Sequence, residues 1–312
     1  MIVFGPVPSR RLGRSLGINN IPFKRCSYSC IYCQLGRTPI ISVNREAFYE
    51  PRLILGEVEE RINTIEREVD YITFVPDGEP TLDINLGKSI SLLKPLGFKI
   101  AVITNSSLIW REDVKRDLRL VDLISFKIDT VDKRIWRRIN RPHPSLKLGD
   151  ILDALPDFIR NFDGIVYTET MLVSRVNDGF DNLKGLAEFI SHLGVDKSFI
   201  SIPIRPPAEK TVYPPTKDII DEAYHLFIDE GVDVEYLTSY ENDDEFILPG
   251  DIRMEILSVT SVHPIREDTL RKLVEERNID WGIVEKLVDE EEIIEVVYRG
   301  KKFYIRNPSK VK

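Results

Sequence analysis

The stretch CSYSCIYC, from Cys26 to Cys33, holds every cysteine of this 312-residue chain. Three thiols so close together, with no fourth, suit neither a disulfide framework, which uses cysteines in pairs, nor the four-ligand tetrahedron of a structural zinc site. Iron-sulfur clusters are also held by thiolates, usually four. With three, one iron keeps an open position where a small molecule can bind, much as a catalytic metal does. The non-catalytic alternative is zinc completed by one of the histidines His143, His192, His225 or His263. Neither the cysteine spacing nor these distant histidines follow the usual zinc patterns.

Such a site needs elements to position it. Short β-branched runs alternate with amphipathic stretches, the pattern of βα units around a parallel sheet. Strands are expected at 15–19, 71–76, 99–105, 123–129, 165–173 and 198–204, and helices at 53–67, 84–94, 111–118, 148–162, 183–193 and 217–230. These units can build an open doubly wound sheet or an incomplete barrel, and both put their chemistry at the C-terminal ends of the strands. The polar residues fall there: the cysteines after the first strand, Asp77-Gly78-Glu79-Pro80 after the second, Asn105-Ser106-Ser107 after the third, and Lys127 and Asp129 at the end of the fourth. Ser125, Lys127 and Asp129 alternate with Phe126 and Ile128, so they share one face; if the apolar pair packs outward, that face points inward. Glu169 and Arg205 are further candidates for the interior.

A hydrophobic content of 42% supports a full core, and a formal charge of -8 argues against a basic coat for nucleic acid. The charge is uneven. No acidic residue occurs from Met1 to Asn44, where Arg10, Arg11, Arg14, Lys24, Arg25 and Arg37 surround the cysteines, so this arm is expected to face something anionic. There is no signal-peptide pattern and no apolar run of membrane-spanning length, so a cytoplasmic protein with reduced thiols and no membrane partner is expected.

Two domains are expected, 1–240 and 241–312. NDDEFILPGD reads as a linker, followed by helices near 252–260, 266–277 and 281–289 and a hairpin turning at Arg299 and Gly300, the outline of a winged helix-turn-helix. The third helix, in WGIVEKLVDEEE, is acidic, which disfavours reading a nucleic-acid groove. Arg299, Lys301, Lys302 and Arg306 of the hairpin stay as candidate phosphate contacts.

The C-x3-C-x2-C spacing, with Tyr32 just before the last cysteine, resembles the signature of the radical S-adenosylmethionine (SAM) superfamily. The resemblance implies a [4Fe-4S] cluster on Cys26, Cys30 and Cys33, whose remaining iron is chelated by SAM. The reduced cluster then cleaves SAM to a 5'-deoxyadenosyl radical that takes a hydrogen atom from substrate. Asp77-Gly78-Glu79-Pro80 resembles the family's Gly-Gly-Glu-Pro-like turn that holds the SAM amino group, with Asp77 in place of the first glycine. Asn105, Ser106, Ser125, Lys127 and Asp129 resemble its polar SAM contacts, and the segment MLVSRVND from Met171 resembles the one that flanks the adenine. The implied fold is α/β, a partial (βα)6 TIM-like barrel, covering roughly Ser15 to Glu230, with the winged-helix-like α+β domain after it.

The sequence is most similar in style to the iron-sulfur oxidoreductases that include wyosine-tRNA synthase and the nitrogenase-cofactor proteins, and its opening VFGPVPSRRLGRSLGI resembles an uncharacterised subgroup of them. Those two enzymes need further cluster ligands, and some radical methylases need a further cysteine. Three cysteines support one cluster only, so these activities are not carried over. The resemblance thus implies a one-cluster radical SAM enzyme served by an electron donor such as ferredoxin or flavodoxin. RNA, as in tRNA modification, is the candidate substrate. The alternatives are a glycyl-radical activating enzyme with a protein partner, a zinc-binding module without catalysis, or an enzyme of small-molecule metabolism whose basic arm suits a phosphorylated metabolite.

Overall fold

The structure, a computed structural model, describes residues 2–65, 69–239 and 251–310. The chain opens with strands Val3–Ser9 (β1) and Gly13–Ile18 (β2), then two short strands, Arg25–Cys26 (β3) and Ile40–Ile41 (β4), and helix Pro51–Thr64 (α1). Tyr71–Phe74 (β5), Leu86–Leu93 (α2), Lys99–Thr104 (β6), Glu112–Leu118 (α3) and Leu123–Lys127 (β7) follow. Next come Lys133–Ile139 (α4), Leu148–Arg160 (α5), Ile165–Met171 (β8), Phe180–Ser191 (α6), Lys197–Ser201 (β9), Lys217–Asp229 (α7) and Val234–Leu237 (β10).

The main sheet has eight strands in the order β1-β2-β5-β6-β7-β8-β9-β10. All its pairs from β2 to β10 are parallel. The sheet is a partial, TIM-like barrel. Its inner cluster is built on Leu12, Ala101 and Leu123. The large outer cluster lies between strands and helices and contains Ile124, Phe126 and Ile128. Phe126 meets Phe158 of α5 edge-on, with ring centroids 5.9 Å apart, so the apolar face of β7 packs outward as its alternation requires.

Two strands beyond the six expected complete the sheet. The first, β1, pairs antiparallel with β2, so the N-terminal segment is an edge hairpin and not a free arm. Gly5, Pro6 and Pro8 hide it in the sequence, since proline cannot donate to a ladder, and an edge strand is where a sheet tolerates it. The second, β10, has only four residues. Helix α4 is also absent from the expected set.

The last segment holds helices Ile252–Val262 (α8), Glu267–Glu276 (α9) and Gly282–Asp289 (α10), with strands Ile265–Arg266 (β11), Ile293–Tyr298 (β12) and Lys301–Arg306 (β13) in the order β11-β13-β12. It has its own core, including Ile256, Val259, Leu270 and Leu287. The hairpin turns at Arg299 and Gly300, whose φ values of 51° and 75° fit the primed turns that match strand twist. The expected linker and domain boundary lie at 240–250, outside the described residues. A buried ion pair between Arg61 of α1 and Glu255 of α8 fastens this unit to the barrel. No helix among the described residues is long and apolar enough to cross a membrane.

Arg45 clamps the wall beside the Asp77–Pro80 turn. Its side chain is 3% exposed and pairs with Asp113 at 3.0 Å and with Asp117. It also donates to the carbonyls of Thr81 at 2.9 Å and Asp83 at 2.7 Å. Arg45→Ala leaves these acceptors unpaired and should cost about 2–4 kcal/mol, read from chemical denaturation. Asp113→Ala, at a more exposed partner, should cost clearly less.

Candidate active site

The loop from Cys26 to Cys33 is shaped by its neighbours. Strand β3 pairs with β4, Ser29 N donates to Asn140 O at 3.0 Å, and Ile31 N donates to Ile139 O at 2.9 Å, so the end of α4 holds the loop. All three cysteines are free and line a cavity of about 350 Å³, within the size range of ligand sites. Each thiol has one nitrogen donor from another segment: Asn105 Nδ2 to Cys26 at 3.4 Å, Asn140 Nδ2 to Cys30 at 3.4 Å, and Lys24 Nζ to Cys33 at 3.1 Å.

Burial pushes Cys26 and Cys30 up to about 12, helped by the charge of Glu79 on Cys26 and of Asp129 on Cys30. A bound metal reverses this, because a coordinated thiol loses its proton outright. Three accessible sulfurs with nitrogen donors aimed at them fit a thiolate-held cluster. Among the described residues, no group of three His, Cys, Asp or Glu is arranged as a ready site for a single metal ion. Of the candidate fourth ligands for zinc, His263 lines the cavity but sits 3.1 Å from Arg205 Nη2, and His143 bonds Ser145.

The Asp77–Pro80 turn reaches the cysteines by touching β3. A Cβ on Gly78 would lie 1.9 Å from the carbonyl oxygen of Arg25, so only glycine allows the approach. Glu79 N donates to that same oxygen at 3.1 Å. The Glu79 carboxylate is already engaged: it accepts from Thr81 N and Oγ1, from Thr104 Oγ1 at 2.7 Å and from Asn105 N at 2.8 Å. Asp77 differs. It is 3% exposed, lines the cavity, and its Oδ1 has no hydrogen-bond partner. Burial pushes it up to about 7. Of the two carboxylates in this turn, Asp77 has the spare acceptor for an ammonium.

Tyr32, Asp77, Gly78, Glu79, Asn105 and Lys127 line the cavity with the cysteines; Pro80, Ser106, Ser125 and Asp129 do not. Pro80 opens the short 3-10 turn after Glu79, and Ser106 Oγ bonds Lys127 O at 3.0 Å. Ser125 is buried in β7 with its hydroxyl unpartnered. Asp129 accepts from Tyr32 Oη and from Asn140 Nδ2 at 2.7 Å, so it orients the groups around Cys30. Burial and the Asp129 charge raise Tyr32 well above its ordinary value. Lys127 lies opposite Glu169 in the strand register and pairs with it at 3.0 Å, while burial lowers its pKa. Glu169 also pairs with Arg11 and accepts from Ser201 Oγ at 2.8 Å. Glu169, Arg205 and Met171 line the cavity, as their strand positions lead one to expect.

Sequence reasoning assigned no site role to Lys24 or Asn140. Lys24, two residues before Cys26, belongs to the basic run expected to face an acidic substrate or a negatively charged cluster, and it is 2% exposed beside Cys33. Burial works to lower its pKa, but the charge and hydrogen bond of Cys33 outweigh that and raise it. Asn140 caps α4, whose start is marked by Asp132 accepting from Arg134 N and Ile135 N, the signal that could have revealed it. Most of the N-terminal and hairpin cations are paired within the chain: Arg14 with Asp70, Arg25 with Glu46, Arg37 with Glu209, Lys302 with Glu267 and Glu295, and Arg306 with Glu292.

A partial barrel with three cysteines and a Gly-Glu-Pro turn at the C-terminal ends of its strands defines a class of enzyme. The family model of the Radical SAM superfamily matches residues 20–190, and the chain belongs to that superfamily. Its cofactors are therefore a [4Fe-4S] cluster and SAM, and it is an enzyme of SAM-dependent radical chemistry. Over 309 residues it is 47% identical to UPF0026 protein MJ1312 of Methanocaldococcus jannaschii, covering 98% of this chain and 96% of that one. A UPF0026 protein of Helicobacter pylori is 32% identical over 212 residues, 67% of this chain and 68% of that one. A radical SAM methyltransferase from Sphaerobacter thermophilus shares the fold, with a TM-score of 0.54 and 17% identity over 72% of this chain and 67% of that one.

Gly78→Ala should force the turn off β3 and lower stability by about 3 kcal/mol, measured by denaturation of the metal-free protein. Asp77 gives a pH test. A carboxyl raised in the folded state keeps its proton to higher pH there than in the unfolded chain, so its contribution is full below about pH 4. It is lost as pH rises to about 7. Between those limits the metal-free wild type should lose up to about 4 kcal/mol relative to Asp77→Asn.

Proposed function

We propose that Cys26, Cys30 and Cys33 hold a single [4Fe-4S] cluster and that SAM binds beside it in the cavity they line. The observation that carries this reading is that the three free cysteines and Asp77, whose Oδ1 is unpartnered, line one cavity. When bound, cluster and SAM supply a 5'-deoxyadenosyl radical that abstracts hydrogen from substrate. Asp77 accepts from the SAM ammonium, and the Glu79 turn fixes its position through the bond to Arg25 O. Asn105 and Asn140 orient Cys26 and Cys30. Lys127, held by Glu169 and lying 5.1 Å from the centre of the Tyr32 ring, presents a cation to the cavity.

Arg10, Arg11, Arg205 and His263 line the same cavity and form the side on which substrate is met. An RNA substrate drew its support from the N-terminal run and the hairpin. With most of those cations paired to carboxylates of this chain, the geometry favours a substrate that enters the cavity over one held along a basic surface. In this reading 251–310 is a winged-helix-like domain that completes the cavity wall. An external donor such as ferredoxin or flavodoxin supplies the electron. Steeply salt-dependent tRNA binding at low salt would restore the RNA reading.

The test is anaerobic reconstitution with iron and sulfide, then reduction and electron paramagnetic resonance with and without SAM. We expect a cluster signal that shifts with SAM, with release of 5'-deoxyadenosine. Absence of a cluster, with tight zinc binding, would falsify the proposal. Cys26→Ala, Cys30→Ala and Cys33→Ala should each abolish cluster assembly, because no spare cysteine exists. Asp77→Asn should keep the cluster but weaken SAM binding by about 10–100-fold, the worth of a charge-assisted hydrogen bond, measured by equilibrium dialysis.

A further inference from the structure

Lys24 is a cation in hydrogen-bond contact with the cysteine loop, through Cys33. The other two donors, Asn105 and Asn140, are neutral amides. Its ammonium lies 3.1 Å from Cys33 Sγ, its residue is 2% exposed, and its backbone takes a left-handed φ of 55°. The burial and the left-handed backbone are both unfavourable for a lysine. Burying an ammonium sacrifices its hydration, and the left-handed region crowds any side chain with a Cβ. A buried lysine is normally matched by a carboxylate. Among the described residues Lys24 makes no such ion pair; its ammonium contacts the Cys33 sulfur, and the Asp77 carboxyl acts on it without forming an ion pair. The geometry thus matches Lys24 to the cysteine set.

Resting on the one-cluster reading above, we propose that Lys24 is a positioning residue that sets the reduction potential of the cluster through Cys33. A fixed positive charge beside one ligand favours the more negative, reduced form, as hydrogen bonds to cluster sulfurs do. The step it serves adds one electron, supplied by an external reductant, and makes or breaks no bond in the protein. The asymmetry matters: Cys26 and Cys30 receive dipoles, and only Cys33 receives a full charge.

The experiment is a redox titration of anaerobically reconstituted protein, followed by electron paramagnetic resonance, on wild type, Lys24→Met, Lys24→Gln and Lys24→Arg. Iron and sulfide content are measured on each sample. The expected result is a midpoint shifted to more negative potential in K24M and K24Q, with K24R between them and wild type, at equal cluster content. A K24M or K24Q cluster at the wild-type potential overturns the proposal and leaves Lys24 a packing residue. Should K24M lose its cluster, K24Q against K24R decides: equal displacement of both overturns the charge argument, and a smaller displacement in K24R supports it. A wild-type chain that takes up no cluster overturns the parent reading and this one together, whereas a wild-type cluster indifferent to Lys24 overturns this one alone.

Discussion

Gly78 sits where the carbonyl of Arg25 leaves no room for a side chain, and the site is organised around that contact. Because the turn can press against β3, Glu79 N reaches Arg25 O, and the Glu79 carboxylate swings beneath Thr104 and Asn105. Asn105, fixed by its backbone bond to Glu79, turns its amide toward Ser27 and Cys26. The contacts close a ring from Arg25 through Glu79 and Asn105 back to Cys26. Neither the cysteine loop nor the turn is placed independently; each is held by the other. A buried carboxylate with all its acceptors used is costly to disturb, so the ring is rigid as well as closed.

The electrostatics follow from the same burial. In the empty cavity, Cys26 and Cys30 are pushed up to about 12 and Asp77 to about 7, so thiols stay protonated and the carboxyl is poised at neutrality. The two thiols would carry negative charge against a metal, and an ammonium would shift Asp77 toward its charged form. Loading the cysteines is therefore coupled to proton release. Lys24, in contact with Cys33, places a cation beside that loop. Thiols that ionise only when filled avoid the repulsion of several buried charges in the empty protein.

Much of this was legible in the sequence because it rests on spacing. The three cysteines, the Asp77–Pro80 turn and the alternation of Lys127 with Phe126 and Ile128 are local patterns, and a parallel sheet carries such patterns to one end. The cofactors and the superfamily followed from the same motifs. What escaped is what depends on partners far along the chain. β1 was hidden by its prolines, and α4 by its short length. Glu79 and Asn105, expected as cofactor contacts, line the cavity and also hold the cysteine loop through hydrogen bonds that no local pattern announces. Ser125 shares a face with Lys127, as alternation requires, but does not line the cavity, whereas Ile103, its register partner on β6, does. Periodicity gives the face of a strand and not the reach of each side chain.

The C-terminal unit shows how a partial barrel manages its open side. The edge strand β1 packs against α8, and Val7 joins the core of that unit. The turn after α8 then carries Val262 and His263 into the cavity wall. Gln34, one residue past the last cysteine, donates to Val262 O at 3.0 Å, and Tyr298 Oη donates to Pro203 O at 3.0 Å. These bonds tie the unit to the cysteine loop on one side and to the segment after β9 on the other. A module placed this way cannot shift without moving both the cysteine loop and the Arg205 side of the cavity. Its position therefore shapes the cavity wall, where Arg10, Arg11, Arg205, His263 and Gln34 bring guanidinium, imidazole and amide groups to the lining.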